Sequence, residues 1–246
     1  MTLSVYIGWD PREKEAWDVA AKSIFAHTVE NVNIHKLVRS RITEYKREDP
    51  LATSEFTLTR FLVPYLSGYE GYSMFIDCDI LCTTDITEIM NEIDSKNIVS
   101  CVQHPEYEPK TKFKMDGVKQ TTYPRKNWSS VMVFNNKKCK MLTPELVNTA
   151  TAKYLHRMQW APDELIGSLS HSWNYLAGYY DDIDKPNIIH YTDGGPWFED
   201  YQNCEFAEQW KTFYEKNDLS GVSWGTERLK AVQALHPIRG GLLQEA

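Results

Sequence analysis

Short apolar runs alternate with helically spaced apolar residues in the N-terminal part of the chain. The apolar runs predict buried strands at Leu3–Gly8, Val32–Leu37, Tyr72–Ile76 and 98–102. Between the first two runs, apolar residues recur at helical spacing over 16–24, behind a proline suited to a first helical turn. Strands that alternate with helices predict an α/β fold, with a Rossmann-like, mostly parallel sheet flanked by helices.

The rest of the chain continues this pattern less regularly. Further strands are predicted at 131–134 and Ile188–His190. Three helices carry a boundary signal: 58–66, which Pro64 ends or kinks; 86–93, behind a capping box of Asp85 and Glu88; and 144–154, capped by Thr143. The remaining predicted helices are a short one at 163–169, one that bears Phe206, Trp210, Phe213 and Tyr214, and one at 226–235. The aromatic stripe is interpreted as core packing. We expect a main domain over 1–200 and a helical C-terminal extension over 201–246 packed on it.

Two Asp-x-Asp triplets are candidates for metal chemistry. Asp182-Ile183-Asp184 lies in an acidic stretch and is interpreted as a polar loop. Asp77-Cys78-Asp79 follows the predicted strand Tyr72–Ile76, at the strand end where parallel sheets bind ligands. Buried carboxylates are costly unless paired or bound to a metal, and no Lys or Arg is near them in the sequence. They predict Mn²⁺ or Mg²⁺. The alternative is that one aspartate caps a turn and the other is exposed.

A third metal ligand is expected from His190, which ends a short apolar run. A lone histidine at a strand end is more often a core residue than a ligand. The pair Gly194 and Gly195 shortly afterwards favours the ligand, because glycines let the backbone approach phosphate closely. An imidazole nitrogen beside two carboxylates favours Mn²⁺ over Mg²⁺.

Residues 105–127 show no periodicity and carry six Lys or Arg against three Asp or Glu. A loop of this length in a compact domain is usually a lid or a binding loop. The simpler interpretation of its charges is a solvated loop. The alternative is a loop that meets an anionic substrate or a lipid surface.

Charge and cysteine content exclude several classes of function. The net charge of −7 and the pI of about 5.5 argue against nucleic acid as a partner. The five cysteines form no CxxC pair, and their odd number fits neither a zinc framework nor a disulfide scaffold. We therefore expect a reducing, cytoplasmic location. We expect no signal peptide and no transmembrane segment, which leaves peripheral contact with a membrane open.

Several segments, in the expected order, resemble those of glycosyltransferases of the GT-A fold. The matching segments are Val5-Tyr6-Ile7-Gly8, 57–66, Phe75-Ile76-Asp77-Cys78-Asp79-Ile80-Leu81, 129–135, Asp163-Glu164 and 190–197. The chain looks closest to the retaining family eight, the group of glycogenin and bacterial lipopolysaccharide galactosyltransferases. Three positions depart from that family's pattern. Gly195 stands where the family has lysine, Trp128-Ser129-Ser130 where it has Asn-Ser-Gly, and Glu164 where it has glutamine.

The resemblance implies a role for each matching segment. The implied metal ligands are Asp77, Asp79 and His190, which would hold Mn²⁺ against the diphosphate of a nucleotide-sugar donor. The implied donor contacts are Tyr6, Ile7, Gly8, Asp10, Arg60, Asp77, Cys78, Asp79, Gly194, Gly195 and Trp197. The implied contacts with the transferred sugar or the acceptor are Trp128, Ser129, Ser130, Asp163 and Glu164. Asp163 is the implied catalytic residue, which would orient the acceptor hydroxyl or stabilise the sugar cation.

Three of these residues have simpler interpretations. Tyr6 fits the core as well as it fits a stacked base, Arg60 fits a surface ion pair, and Asp163 fits a helix cap after a proline. These alternatives stay open at the level of sequence.

The predicted function is transfer of a hexose from a nucleotide sugar, by resemblance a UDP-sugar, to a hydroxyl acceptor with retention of configuration. The acceptor is a glycan, a lipid-linked glycan or a protein. One alternative is a sugar nucleotidyltransferase, which would want a Gly-rich loop with Lys or Arg after the first strand; the segment Gly8 to Arg12 supplies little of that. The other is a non-catalytic protein that binds nucleotide sugar or glycan.

Overall fold

A six-stranded sheet forms the centre of the fold. The computed structural model describes residues 2–29, 32–48, 52–110, 113–114, 118–119 and 122–215. The strands are β1 (Leu3–Gly8), β2 (Val32–Leu37), β3 (Tyr72–Ile76), β4 (Ile80–Cys82), β5 (Val99–Val102), β6 (Phe113–Lys114), β7 (Val118–Lys119), β8 (Val131–Asn135), β9 (Ile166–Leu169), β10 (Tyr175–Leu176) and β11 (Ile188–His190). The α-helices are α1 (Lys14–His27), α2 (Val63–Leu66), α3 (Pro144–Thr149), α4 (Ala152–His156) and α5 (Ala207–Glu215). Short 3₁₀ segments cover Pro11–Glu13, Arg39–Arg41, Thr59–Leu62, Ile86–Glu92, Asn136–Lys138, Asp163–Leu165, His171–Asn174 and Glu199–Tyr201.

The strand order of the central sheet is β2-β1-β3-β8-β5-β9. Strand β8 runs antiparallel to both of its neighbours, and the other neighbouring pairs are parallel. The carboxyl ends of β1, β3, β5 and β9 therefore lie along one edge of the sheet, where ligands of such folds bind. The predicted α/β fold with a mostly parallel sheet is confirmed.

A smaller sheet, in the order β10-β11-β4, positions the C-terminal histidine. Strand β4 begins directly after the Asp77-Cys78-Asp79 triplet and pairs antiparallel with β11, in a register that places His190 opposite Ile80. The backbone N–H of Tyr191 also donates to the carbonyl of Asp79, at 2.9 Å. The register of this sheet thus joins two segments that are far apart in the sequence.

Helix α1 packs between the sheets and the C-terminal part of the described chain. Its residues Ala16, Ala20 and Ile24 are fully buried, as the helical spacing predicts. Helix α5 contacts α1, and its Trp210 joins a small core cluster with Val19. The core interpretation of the aromatic stripe holds for Trp210 but not for all its members, because Tyr214 is 49% exposed.

Pro64 stands near the beginning of a helix and does not end one. The predicted single helix over 58–66 is a 3₁₀ segment, Thr59–Leu62, followed by α2, with Pro64 in the first turn of α2. A proline there removes a backbone N–H that would have no partner within the helix. Proline was therefore the wrong signal for a C-terminus at this position.

Two other predicted helices are divided in the structure. The helix over 144–154 is separate α3 and α4, because Thr151 is extended and its side chain caps the second helix at Tyr154 N. Thr143 caps α3 as predicted. The helix over 163–169 is a 3₁₀ turn that leads into β9, whose pairing with β5 overrides the local preference.

The segment after β4 is a 3₁₀ helix, Ile86–Glu92, and it lacks the predicted capping box. Asp85 accepts from the backbone N–H and the hydroxyl of Thr87, so it caps the segment without a reciprocal bond from Glu88. The predicted helix over 226–235 lies outside the described residues. The domain boundary at residue 200 stays a prediction.

Candidate active site

Asp77, Asp79 and His190 lie together at the edge of the sheet. One oxygen of each carboxylate and one nitrogen of the imidazole all lie within 4.8 Å of one another. Asp79 and His190 are buried, and the side chain of Asp77 is 15% exposed. The structure therefore brings together the three residues that the sequence nominated as a set of metal ligands.

The middle residue of the triplet faces the other way. Cys78 is completely buried, and its thiol donates to Glu13 Oε2 at 3.5 Å. Burial, together with the nearby acids Glu13 and Asp79, raises the pKa of the Cys78 thiol well above its usual value. Only the backbone of Cys78 is therefore available to a donor, while the flanking aspartates face the site.

Asp77 has a cationic partner that the local sequence does not reveal. Arg60 Nη1 lies 2.8 Å from Asp77 Oδ1. The same guanidinium donates to the carbonyls of Ser129 at 2.9 Å and Thr57 at 3.1 Å, and it packs over the ring of Phe75. The reasoning that no cation neutralises the triplet was wrong for Asp77, because Arg60 is close in space. The surface location allowed for Arg60 is also wrong, because Arg60 is 6% exposed.

A hydrogen-bonded amide orients His190. His190 Nδ1 lies 2.9 Å from Asn174 Oδ1, and its Nε2 lies 3.4 Å from Asp79 Oδ1. Asn174 Nδ2 donates to Ser130 Oγ and to the carbonyl of Asn127, so Oδ1 is the acceptor for His190. The imidazole then carries its hydrogen on Nδ1, and the lone pair on Nε2 is directed toward the carboxylates. Two carboxylates and such a nitrogen fit Mn²⁺ or Mg²⁺.

Asn174 was not among the residues predicted from sequence. It lies in a 3₁₀ segment, His171–Asn174, and no local pattern marks it. Its role depends on Ser130, directly before β8, and on His190, from the end of β11. Only the folded chain brings these three together.

A cavity of about 460 Å³ lies beside Asp77, and we call it the Arg60 cavity. The predicted residues that line it are Arg60, Asp77, Ser129 and Ser130; unpredicted lining residues include Arg47, Asn127 and His156. Ser129 Oγ lies 2.8 Å from His156 Nδ1, and burial lowers the pKa of His156 to about 3. His156 is therefore a neutral imidazole near pH 7.

The end of β1 is tightly packed. Tyr6 is 2% exposed and stacks on His35, and a Cβ on Gly8 would lie 2.4 Å from the ring of Phe56. The core alternative for Tyr6 is what the structure shows, so its ring is not available to stack on a base. Ile7 is completely buried. Any donor contact by these residues would use the backbone.

Asp10 has a local structural role. Its carboxylate caps the segment Pro11–Glu13 and forms a two-point ion pair with Arg12. These bonds, with one from the Glu55 N–H, outweigh burial and hold the pKa of Asp10 below its usual value. Its predicted donor contact stays a prediction.

The Gly-Gly segment after His190 packs against aromatic rings. Gly194 adopts φ +137, a conformation that favours glycine, and a Cβ on Gly195 would lie 1.9 Å from the ring of Trp197. Trp197 contacts the rings of Tyr191 and Trp210. The glycines thus allow close packing, and their contact with phosphate stays a prediction.

Asp163 and Glu164 lie in the turn that leads into the amino end of β9, and neither they nor Trp128 line the Arg60 cavity. Asp163 is 76% exposed and pairs with Arg125 at 2.7 Å, and it makes no helix cap. Arg125 packs over the ring of Trp128, whose indole N–H donates to the carbonyl of His104. Glu164 is exposed. The roles predicted for Asp163, Glu164 and Trp128 in binding sugar or acceptor stay predictions.

The fold is that of GT-A glycosyltransferases. It is similar to GlyE of Streptococcus pneumoniae TIGR4 in its apo form, with a TM-score of 0.61 at 17% identity, over 98% of this chain and 66% of GlyE. It is also similar to the galactosyltransferase LgtC, solved with donor and acceptor sugar analogues, with a TM-score of 0.56 at 13% identity, over 92% of this chain and 99% of LgtC. The chain spans about two thirds of the length of GlyE. The predicted resemblance to GT-A enzymes is confirmed at the level of the fold.

Sequence similarity places the chain in a family. It is 44% identical over 217 residues to Protein CDI of Arabidopsis thaliana, a match that covers 84% of this chain and 83% of that protein. The chain belongs to the family of Protein CDI. No family model matches it. Among the described residues, no helix combines the length and apolar character needed to cross a bilayer.

Proposed function

We propose that the chain is a metal-dependent glycosyltransferase that moves a hexose from a UDP-sugar to a hydroxyl acceptor with retention of configuration. The observation that carries the proposal is the cluster of Asp77, Asp79 and His190, in which Asn174 presents the Nε2 lone pair of the histidine to two carboxylates. A glycosyltransferase fold supports it independently. The UDP moiety and the retaining outcome rest on resemblance alone.

Asp77, Asp79 and His190 would hold Mn²⁺, or Mg²⁺. The ion would supply positive charge to the departing nucleotide diphosphate. An imidazole ligand favours Mn²⁺ of the two. Binding of the donor and positioning of its sugar are assigned to the side chains around the Arg60 cavity.

Arg60 contributes positive charge at the wall of this cavity. Its bonds to Ser129 O and Thr57 O keep the guanidinium in place, so its charge is preorganised for a donor and requires no rearrangement. Arg47 also lines the cavity. The two arginines favour an anionic donor on this side of Asp77.

Ser129 and His156 are suited to position the transferred sugar. His156 also bonds the backbone of Thr57 in a contact that favours its protonated form, which leaves Nδ1 to accept from the Ser129 hydroxyl. The Ser129 oxygen can then accept a hydrogen bond from a sugar hydroxyl in the cavity. Asp163, which pairs with Arg125, would orient the acceptor hydroxyl, and this role rests on the resemblance alone.

The five cysteines, all free and four of them buried, support the cytoplasmic location in this proposal. Buried thiols in place of disulfides suit a reducing compartment. Fractionation that recovers the native protein from an oxidising compartment would contradict this part of the proposal.

Thermal-shift titrations with Mn²⁺ and UDP, GDP, CMP or dTDP test the donor site. A ligand at 100 times its Kd stabilises the folded state by about 2.7 kcal/mol, so UDP with Mn²⁺ should raise Tm. Asp79→Ala should abolish the rise, while Asp182→Ala, in the other triplet, should keep it. No rise with any nucleotide in the folded wild-type chain would overturn the proposal. Release of UDP from a UDP-sugar, with the anomer of the product read by NMR, tests turnover and retention.

A further inference from the structure

A second cavity, of about 400 Å³, lies at the carboxyl ends of β5 and β9. Among the residues that line it are Gln103, His104, Ser170, His171, Tyr180 and Asp182, and we call it the Tyr180 cavity. Because β3, β5 and β9 run parallel within one sheet, this cavity opens at the same sheet edge as Asp77. None of the roles derived above uses it.

His104 is the buried polar group of this cavity. It is 4% exposed, and its Nδ1 lies 2.7 Å from the Tyr180 hydroxyl. Its Nε2 is buried, and among the described residues no group bonds to it. Buried polar atoms in native proteins nearly always have a partner. An unpartnered nitrogen in the wall of a cavity therefore points to a ligand that supplies the partner.

Aromatic rings form the apolar part of the same cavity. The Tyr180 ring stacks on His104, with centroids 6.0 Å apart and planes 19° apart, and it contacts His171 at 5.4 Å. His171 Nε2 lies 2.9 Å from Asp182 Oδ2. Ring faces pack against the C–H faces of sugars, and carboxylate and imidazole groups bond to sugar hydroxyls. This combination is typical of a carbohydrate site.

The charge of the Tyr180 cavity differs from that of the Arg60 cavity. Within the described part of the chain, no Lys or Arg lines the Tyr180 cavity, and Asp182 contributes a carboxylate. Arg47 and Arg60 line the other cavity. A phosphate would meet like charge in the Tyr180 cavity. An uncharged ligand fits it better than an anionic one.

The Tyr180 cavity adjoins the residues expected at the transferred sugar. The indole N–H of Trp128 donates to the backbone carbonyl of His104 at 2.9 Å. Trp128 lies directly before Ser129, which lines the Arg60 cavity. One short segment at the start of β8 therefore borders both cavities.

We propose that the Tyr180 cavity binds the acceptor as an uncharged carbohydrate, with the ring of Tyr180 against the sugar face and His104 and Asp182 as hydrogen-bonding groups. The inference rests on the proposed function and names its acceptor class. In the transfer, the acceptor hydroxyl oxygen bonds to the anomeric carbon as the bond from that carbon to the diphosphate breaks. The hydroxyl proton leaves with the nucleotide diphosphate or to solvent.

The test titrates the full chain with methyl glucoside, galactoside, mannoside and xyloside and their β-linked disaccharides, by saturation-transfer NMR and calorimetry. His171→Ala and Asp182→Asn should each lower the affinity for one of these ligands by about tenfold or more, the usual cost of a lost hydrogen bond or ring contact. Asp184→Asn, an exposed neighbour in the same loop, is the matched control and should leave affinity unchanged. The shift of Tm by UDP with Mn²⁺ should be the same in all three variants.

Two results would overturn the inference while leaving the proposed function standing. One is a chain that responds to UDP but binds none of the sugars, or binds them equally in the Asp182 and Asp184 variants. The other is a chain that binds geranyl diphosphate in preference to the sugars, when His171→Ala weakens that binding. A different result would overturn the proposed function: a sugar binds and Asp182→Asn weakens it, but no nucleotide shifts the Tm of the chain. The bound sugar would then not be the acceptor of a transfer reaction. Octyl glycosides of the same sugars distinguish sources: tighter binding supports a lipid-linked acceptor, and equal binding supports a free glycan.

Discussion

The chain contains the same Asp-x-Asp spacing twice, and each copy has a histidine beside it. Asp182 pairs with His171 at 2.9 Å on the surface, where their side chains are 57% and 42% exposed. Asp79 and His190 approach at 3.4 Å with side chains 9% and 2% exposed. The surface pair is screened by water and contributes little stability. The buried pair lacks that screening, so its histidine needs a precise partner, which Asn174 provides. Arg60 pairs with Asp77, the other carboxylate of the same triplet.

The largest expected effect comes from removing the cation of the buried triplet. Arg60→Met should lower the free energy of unfolding by about 3 kcal/mol, because it leaves the Asp77 carboxylate poorly solvated and unpaired by Arg60. Urea denaturation measures the change. The double variant Arg60→Met with Asp77→Asn should recover most of the loss, and an equal loss in single and double variants would contradict the ion-pair explanation.

Substituting each of the two histidines in turn tests whether burial distinguishes the function of the two Asp-x-Asp triplets. His190→Ala should weaken Mn²⁺-dependent UDP binding by about a hundredfold, because it removes a ligand that cannot be replaced locally. His171→Ala should leave that binding unchanged and alter unfolding by at most about 1 kcal/mol. Calorimetric titrations of both variants give the comparison. Similar losses in both would mean that the buried cluster holds no metal.

Acid should destabilise the protein through a buried imidazole. Burial lowers the pKa of His104 to about 3, so below about pH 6.5 the unfolded chain takes up a proton that the folded chain excludes. The free energy of unfolding should therefore decrease with falling pH, by about 2 kcal/mol at pH 5. His104→Gln should remove this contribution to the slope and leave the one from His156, whose buried imidazole also has a pKa of about 3. A slope unchanged by the substitution would show that His104 titrates equally in both states.

The smallest expected effect concerns the amide that orients His190. Asn174→Leu should weaken Mn²⁺ binding by about tenfold, because the imidazole loses the acceptor that selects its tautomer. Asn135→Leu, which replaces an amide at the far end of β8, opposite Tyr72 and away from the cluster, is a control for general loss of stability and should keep the affinity. Full Mn²⁺ affinity in the Asn174 variant would remove this residue from the site.

Much of the framework was predictable from local patterns. The strands β1, β2 and β3 follow apolar runs, and α1 follows helical spacing, because burial imposes those periods directly on the sequence. Asp77 and Asp79 were recognisable because they interrupt an apolar segment. Three features were missed: the position of Pro64 in a first helical turn, the division of 144–154 into two helices, and the strand β9. Each depends on capping or strand pairing that outweighs local propensity.

The sequence by itself determined the α/β class, the position of the Asp77-Cys78-Asp79 triplet at a strand end and the candidacy of His190. The tertiary structure decided which of these groups meet. The register of β4 against β11 places His190 beside Asp79, and the fold brings Arg60 to Asp77, Asn174 to His190 and Tyr180 to His104. These contacts join residues distant in the chain, and no periodicity encodes them, because they arise only when separate elements pack at one edge of the sheet.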